Sequence, residues 1–445
     1  MFLIEFLVDH FYVSATLLML SFLFVNFLRR EKKQAKAKLK MAKSKAAGTD
    51  TPNTLHPVID LAKCGGCGAC TAVCPEGDIL QMIDGKAVLI NGSKCVGHGE
   101  CQRACPLDAI DLVFGTLEKG IDIPNLSKDY ETNMPNVYIA GELGGMGLIR
   151  NAVKQGSWAA YHAIKSLDSK TKTDTDLFII GAGPAGMAAA LAAIEKKVSY
   201  VLIDQNTFGG TVNNYPRNKV VMSYPADLPI VGKMKFSNNK VTKEDLLDFW
   251  SDAVKKAKIK IHNSTKFMKY KDEGKFFTIE TDKRSWTAKK IILAMGSGGL
   301  PMKLGLKNED SPKVFYTLKD PESYKKKHVV VVGGGNSAVE AAQYLGAKKL
   351  GNTVKLLVRG KALSRTNEDN VTIINRMQDE GLVEICYETS IKDIQPDKIT
   401  IDTKGEQEVI PNDFIFVFAG NIKPYKQLAE LGIKIETKFG EKIGK

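Results

Sequence analysis

Leu177-Phe178-Ile179-Ile180-Gly181-Ala182-Gly183-Pro184-Ala185-Gly186 is the stretch that decides the fold. An apolar strand runs into G-x-G-x-x-G, and the glycines open an alanine-rich helix from Met187 to Glu195. Gly181, Gly183 and Gly186 permit a tight turn and let a pyrophosphate approach a helix N-terminus. A second strand, Tyr200 to Ile203, ends at Asp204, where an acid is placed to hydrogen-bond ribose hydroxyls. The glycine motif alone is weak evidence. With strand, helix and acid in order it specifies a dinucleotide-binding unit.

The pattern recurs downstream. His328 to Val332 reads as a strand, Gly333, Gly335 and Ala338 form G-x-G-x-x-A, and a helix follows to about Tyr344. The next strand, Val354 to Val358, ends in Arg359, where an NADH site usually carries an acid. Arg359, helped by Lys361 or Arg365, can pair with a 2′-phosphate, which points to NADPH, with NADH as the alternative. The bland reading of these cations is a coincidence of surface charge.

Two such units in one chain resemble the thioredoxin reductase-like flavoproteins, which implies FAD in the first unit and the nicotinamide in the second. Gly209, Gly210 and Thr211, then Asn214-Tyr215-Pro216, resemble that family's GGQ…N-(W/Y)-P loop, which lines the flavin. Ala294-Met295-Gly296-Ser297 resembles its A-T-G-S turn between domains. The family's last FAD motif, T-x-x-P-x-h-(Y/F)-h-A-G-(D/E) with h apolar, normally follows the nicotinamide domain. It is not found after Ile415-Phe416-Val417-Phe418-Ala419-Gly420. It lies upstream instead, as Thr132-Asn133-Met134-Pro135-Asn136-Val137-Tyr138-Ile139-Ala140-Gly141-Glu142. The following GGMGLIRNAVKQGSWAAYHAI has the glycine-rich start of a helix whose N-terminal dipole would favour negative charge on a reduced flavin. The expectation is a circularly permuted FAD domain; the alternative is an ordinary linker helix over 117–168. The family's C-x-x-C pair is missing too: Val314 to Lys327 holds no cysteine, and Cys386 is solitary, expected as a small buried residue on a strand.

The other seven of the eight cysteines fall between Cys64 and Cys105. Cys64, Cys67, Cys70 and Cys74-Pro75 spell C-x2-C-x2-C-x3-C-P, and Cys95, His98, Cys101 and Cys105-Pro106 repeat the run with His98 in the second slot. Clustering of this kind argues for metal ligation rather than disulfides, and two tandem runs ending in Cys-Pro argue against zinc. Residues from about 58 to 113 resemble a bacterial two-cluster ferredoxin. The resemblance implies that Cys64, Cys67, Cys70 and Cys105 hold one [4Fe-4S] cluster, while Cys74, Cys95 and Cys101 give three ligands to the second. Either His98 ligates the fourth iron of that second cluster, or the iron is absent and the cluster is [3Fe-4S].

Phe11 to Leu28 carries no formal charge, and with FLIEFLVDH before it reaches membrane-spanning length. Nine Lys and Arg residues follow between Arg29 and Lys45, so a single-pass anchor in the cell membrane is expected, with the catalytic part cytoplasmic. A cleaved signal would need a basic stretch before the apolar core and a small-residue cleavage site after it. The stretch from Ala35 to Gly48 reads as a helical stalk near anionic lipid or simply as a basic solvated linker. Much of the net charge of +13 over 445 residues is concentrated in this run, so no nucleic-acid partner is expected.

The expected fold class is α/β: two Rossmann-like, three-layer nucleotide-binding domains, a small α+β ferredoxin-like domain and an N-terminal transmembrane helix. The divisions are an anchor over 1–28, a basic linker over 29–56, the two-cluster domain over 57–115 and the permuted closing segment over 116–170. The FAD-binding domain follows over 171–312, the NAD(P)H-binding domain over 313–412, and 413–445 return to the FAD domain. The expected activity is an NAD(P)H-dependent flavin/iron–sulfur oxidoreductase. A hydride would pass between nicotinamide C4 and flavin N5, and single electrons between flavin and clusters. The partner would be an electron-donor or electron-acceptor protein or a quinone, with room for a homodimer. The competing class is a redox sensor or scaffold that binds the cofactors without turnover. No acid–base catalytic residue is nominated.

Overall fold

The computed structural model describes residues 2–46, 49–52, 54–77, 79–222, 226–234, 236 and 241–442. The end of the expected stalk, 47–48, lies outside them. The chain forms two compact units, 1–113 and 114–445.

The first unit begins with one unbroken helix, α1 (Phe2–Ala46). The run expected as linker is therefore helical through residue 46, as a Lys/Ala-rich sequence favours. Within α1 the stretch from His10 on has a mean hydropathy of 2.0 at its most apolar, long enough to cross a membrane, and none of that window is buried by protein. Beyond it, β1 (His56–Ile59), α2 (Ala69–Val73), β2 (Leu80–Ile83), β3 (Lys86–Leu89), α3 (Glu100–Arg103) and β4 (Ile110–Phe114) follow. β1 pairs antiparallel with β4, and β2 with β3. Asp84 (φ +50°) and Gly85 (φ +74°) make the β2–β3 turn, the left-handed pair that a two-residue hairpin requires.

In the second unit the chain enters through β5 (Ile121–Pro124) and β6 (Val137–Ile139), then α4 (Ile149–Lys165). β7 (Thr175–Ile180), α5 (Pro184–Glu195) and β8 (Tyr200–Ile203) form the first nucleotide unit. After α6 (Lys243–Ala257) come β9 (Phe267–Asp272), β10 (Phe277–Thr281) and the long β11 (Ser285–Leu293). The N-terminal half of β11 closes an antiparallel meander with β9 and β10. Its C-terminal half lies parallel between β6 and β7, with Leu293 opposite both Ile139 and Ile180. β6 is thus a full member of this sheet. Val137 and Ile139 are completely buried in it.

The second nucleotide unit is a parallel sheet of β12 (Val314–Phe315), β13 (His328–Val332), β14 (Thr353–Val358), β15 (Glu384–Tyr387) and β19 (Phe414–Val417), in the order β12-β19-β13-β14-β15. Helices α7 (Asn336–Leu345) and α8 (Glu368–Asp379) pack on it, and the meander β16 (Thr389–Ile394), β17 (Lys398–Thr403) and β18 (Glu406–Pro411) lies between β15 and β19 in sequence. The chain then returns through α9 (Tyr425–Glu430) and β20 (Ile435–Lys438), which pairs antiparallel with β5. Near-continuous apolar runs in β7, β13, β14 and the last three residues of β11 are what strands covered on both faces demand.

Candidate functional site: two glycine loops and two cysteine cavities

At the first loop Gly181 has φ +105°, and a Cβ there would stand 2.4 Å from the Ala294 carbonyl oxygen. A Cβ on Gly186 would fall 1.8 Å from the Gly181 oxygen. Gly183 is extended and begins α5 with no side-chain cap. α6 and α8, by contrast, are capped by Thr242 and Asn367. An uncapped N-terminus at a glycine turn leaves backbone N–H groups for an anion. Asp204 is buried at the end of β8, where its carboxylate accepts from the Ala182 N–H at 2.7 Å and the Asn206 N–H at 2.8 Å. It therefore props the glycine loop.

Gly209 and Gly210 fold directly over this loop. The Gly209 N–H donates to the Ala182 carbonyl at 2.9 Å, and a Cβ on Gly210 would stand 3.1 Å from the Gly183 Cα. Thr211 and half-buried Asn214 follow in the same 3-10 turn, and the Thr211 hydroxyl lies near Gly298, two residues beyond Gly296. Burial pushes the Tyr215 phenol up to about 12, with the carboxylates of Glu142 and Glu340 adding to the shift.

Gly141 (φ +86°) follows β6, and exposed Glu142 comes next. Leu148 precedes α4 at φ +100°, a conformation costing about 1–3 kcal/mol in a residue with a Cβ. α4 lies along α5: a Cβ on Gly156 would sit 2.0 Å from the Ala185 carbonyl oxygen. One residue in this region carried no sequence signal. Gln155 is 2% exposed; its Oε1 accepts the Gly141 N–H at 2.8 Å, while its Nε2 is buried with no hydrogen-bond partner. The N–H donor fixes which way the amide faces. A buried donor left without an acceptor costs about 1–3 kcal/mol, so this corner of the fold fits an acceptor-bearing cofactor.

The second loop repeats the first. Gly333 has φ +141°, and its Cβ would collide with the Phe418 carbonyl oxygen at 2.6 Å and press on the Ala338 Cβ at 3.0 Å. Gly335 begins α7 without a side-chain cap. Arg359 follows β14, and a Cβ on Gly334 would press on Val358 at 3.0 Å. Arg365 bridges to Gly335 through its backbone. Arg359, Lys361 and Arg365 are exposed, and among the described residues none has an ion-pair partner. Cys386 lies on β15 as expected but is only half-buried; burial, and then the Glu384 carboxylate, push its thiol up to about 11.

In the first unit the seven clustered cysteines and His98 divide between two cavities. One is lined by Cys64, Cys67, Cys70 and Cys105, the other by Cys74, Cys95, His98 and Cys101. The first holds the four cysteines that the ferredoxin resemblance groups together, and the second holds its other three with His98 beside them. Gly66 and Gly68 both have φ +75°, Gly97 and Gly99 both +76°, so the two loops share one backbone form and His98 occupies the turn of Cys67. The His98 Nε2 lies 3.7 Å from a Glu76 carboxylate oxygen. Burial pushes the Cys95 thiol up to about 11 and Cys101 up to about 12, whereas Cys64 is held low, chiefly by the Ala87 backbone N–H. Buried thiols of this kind become thiolates when cationic metal is bound beside them. Among the described residues no three His, Cys, Asp or Glu side chains converge as a single ion requires. Ligands spread around a cavity fit a multi-iron cluster better than one zinc.

Residues 178–441 match the family described as pyridine nucleotide-disulphide oxidoreductase, and residues 56–106 match the 4Fe-4S dicluster domain. The chain is 29% identical over 268 residues to bacilliredoxin reductase Bdr of Bacillus subtilis, covering 59% of this chain and 82% of that protein. It is 29% identical over 284 residues to the ferredoxin–NADP reductase of Malacoplasma penetrans, covering 61% and 82%. Among solved structures, the bacillithiol disulfide reductase of Staphylococcus aureus superposes with a TM-score of 0.53 at 26% identity, over 59% of this chain and 81% of that one.

Proposed function

This chain belongs to the pyridine nucleotide-disulphide oxidoreductase family, and from that premise we propose that it moves electrons between NAD(P)H and two iron–sulfur clusters by way of FAD. It is a flavin/iron–sulfur oxidoreductase similar to Bdr and to ferredoxin–NADP reductase. The observation that carries the proposal is the presence, in one chain with a dinucleotide fold, of two separate cavities, one lined by four cysteines and the other by three cysteines and His98. A ferredoxin–NADP reductase is named for a partner ferredoxin; here a dicluster segment is supplied in the same chain. The second unit offers no cysteine pair, since Cys386 stands alone in it, so electrons leave by the first unit.

Gly181, Gly183, Gly186 and Asp204 hold the adenosine and pyrophosphate end of FAD. Gly210, Thr211, Asn214, Gly141, Glu142 and Gly296 line its flavin end, and the Gln155 amide donates to it. Gly333, Gly335 and Ala338 take the nicotinamide dinucleotide, and Arg359 pairs with a 2′-phosphate, which favours NADPH over NADH. Cys64, Cys67, Cys70 and Cys105 hold a [4Fe-4S] cluster; Cys74, Cys95, Cys101 and His98 surround the second, as [4Fe-4S] or [3Fe-4S]. When bound, FAD supplies the conversion between two-electron and one-electron chemistry, and the clusters supply one-electron storage. The chain's own groups orient these carriers and exclude water.

Residues 116–170 close the FAD domain in permuted order. The place of β6 beside β11, the packing of α4 on α5 and the pairing of β5 with β20 support this reading. α1 anchors the protein in the cell membrane as a single pass, leaving the rest of the first unit and all of the second in the cytoplasm, and the chain delivers electrons to, or takes them from, a protein or quinone. Anaerobic mixing with NADPH tests the whole: flavin bleaching followed by cluster reduction is expected. Bleaching without cluster reduction, or neither, would leave a cofactor-binding sensor in its place.

A further inference from the structure

The iron–sulfur unit is gripped by α1 rather than hung from it. Ala37, 3% exposed, packs with Met41 against Ile83, Ile90 and Val88 of the β2–β3 hairpin and its flank. The Gln34 amide and the Lys38 ammonium both donate to the Asp84 carboxylate in the hairpin turn, at 2.8 and 2.9 Å. Both polar contacts are exposed, so the apolar packing supplies the stability and Asp84 sets the register. The same turn carries the first cysteine loop. A Cβ on Gly66 would stand 2.2 Å from the Gly85 carbonyl oxygen, and the Lys86 ammonium donates to the Cys64 carbonyl at 2.6 Å.

This grip orders the two cavities along the helix axis. Gln34 and Lys38 lie six and ten residues past Leu28, the last residue of the apolar run, so they stand about 9 and 15 Å along the axis from it at ~1.5 Å per residue. The second cavity is reached from the far end of α1, where the Thr49 N–H donates to the Ser44 carbonyl and the Ser93 N–H to the Thr49 carbonyl, about 24 Å along the same axis. There Asp50 and Pro52 pack on Gly92, and the Thr54 hydroxyl donates to the Cys95 carbonyl. The first cavity is therefore nearer the apolar span. Its lining is also largely apolar, with Ile59, Pro106 and Ile110 in it; Cys67 is exposed, and Leu107 is 50% exposed beside Gly65.

We propose that the cavity of Cys64, Cys67, Cys70 and Cys105, clamped at this height by α1, is an electron port to a lipid-soluble quinone in the membrane. An apolar rim suits a carrier dissolved in the bilayer better than a charged protein, whose docking relies on complementary charge. The inference rests on the proposed route from NAD(P)H through FAD to the clusters. The balanced reaction is NAD(P)H + H+ + quinone giving NAD(P)+ + quinol, with two single electrons leaving through the port and the quinone's protons drawn from water.

The test uses the full chain in phospholipid nanodiscs with menaquinone-4, and ferricyanide as a soluble acceptor. A seven-residue helical insertion after Arg30 raises the unit by about 10 Å while nearly keeping the docking face. Ala37→Glu undocks the hairpin without lengthening the helix. Both variants are expected to lose at least tenfold in menaquinone-4 reduction, stay within twofold in ferricyanide reduction, and keep their iron content and cluster EPR. Equal quinone rates in wild type and insertion variant would overturn the port, as would a wild type that reduces ferricyanide but not menaquinone-4. A wild type that reduces neither would sink the underlying enzyme reading instead.

Discussion

Gln155→Glu is the most informative single change in the second unit. The carboxylate keeps an oxygen for the Gly141 N–H, now held at 2.8 Å, so the turn after β6 retains its prop. What changes is the other end of the group, where a buried donor becomes an acceptor. Leaving the cofactor's acceptor buried and unpaired costs about 1–3 kcal/mol. At about 1.4 kcal/mol per decade, that alone weakens FAD binding by roughly 5- to 140-fold. Gln155→Met removes the Gly141 acceptor as well, so it should add about 1–3 kcal/mol of lost stability to the same loss of affinity. Stripping the flavin and titrating FAD back, followed by flavin fluorescence, reads the affinity; urea unfolding of the apoprotein reads the stability. If Gln155→Glu binds FAD within twofold of wild type at pH 8, the amide does not face the cofactor and the fit argued from its unpartnered nitrogen is wrong.

Four further outcomes are expected. Arg359→Ala should raise the KM for NADPH at least tenfold and leave that for NADH within twofold, because only the 2′-phosphate needs the guanidinium; steady-state kinetics with both nucleotides decide it. His98→Cys should yield two [4Fe-4S] clusters, since Gly97 and Gly99 already hold the loop in the Cys67 form; iron analysis and EPR would expose a persistent [3Fe-4S] signal. Gly156→Ala ought to destabilise by about 1–3 kcal/mol through overpacking against Ala185, despite alanine's better helix propensity, and a higher Tm would refute the α4–α5 contact. Burial works against the Glu309 carboxylate, yet the Leu304, Gly305 and Leu306 N–H groups and the Tyr316 hydroxyl outweigh it and hold its pKa below 4.5. A lowered carboxylate pKa stabilises above the unfolded value and loses that contribution as pH falls through the folded one. Glu309→Gln should therefore lower Tm at pH 7 and flatten the acid limb of the Tm–pH profile, and parallel profiles would contradict the assignment.

The glycine loops were legible because their chemistry is local: strand, turn and helix sit within one short window, and steric need for a missing Cβ writes itself into the sequence. The same holds for the cysteine runs, whose division into two cavities follows their spacing. A place for Val137 to Ile139 in the first sheet could be anticipated only through the resemblance of Thr132 to Glu142 to a motif normally placed elsewhere, since β6 finds its partner β11 about 150 residues later. Gln155 was invisible. A glutamine inside an amphipathic helix looks like any polar surface residue until the fold buries it against Gly141. The grip of α1 on Asp84 was hidden for a similar reason, because the basic run that contains Lys38 reads equally well as solvated linker.

The position of β6 has a consequence for synthesis. Val137, Tyr138 and Ile139 leave the ribosome early, but the strand that shelters them, Ile291 to Leu293, is among the later parts of its domain to be made. At about 5–20 residues per second the wait is roughly 8–30 s. During that interval a bare three-residue apolar edge stands beside a newly made iron–sulfur segment already tethered by α1. Nascent chains of this protein should therefore recruit holdase chaperones within that window, and the flavin pocket can be completed only after the iron–sulfur segment has been exposed to the cluster-assembly machinery.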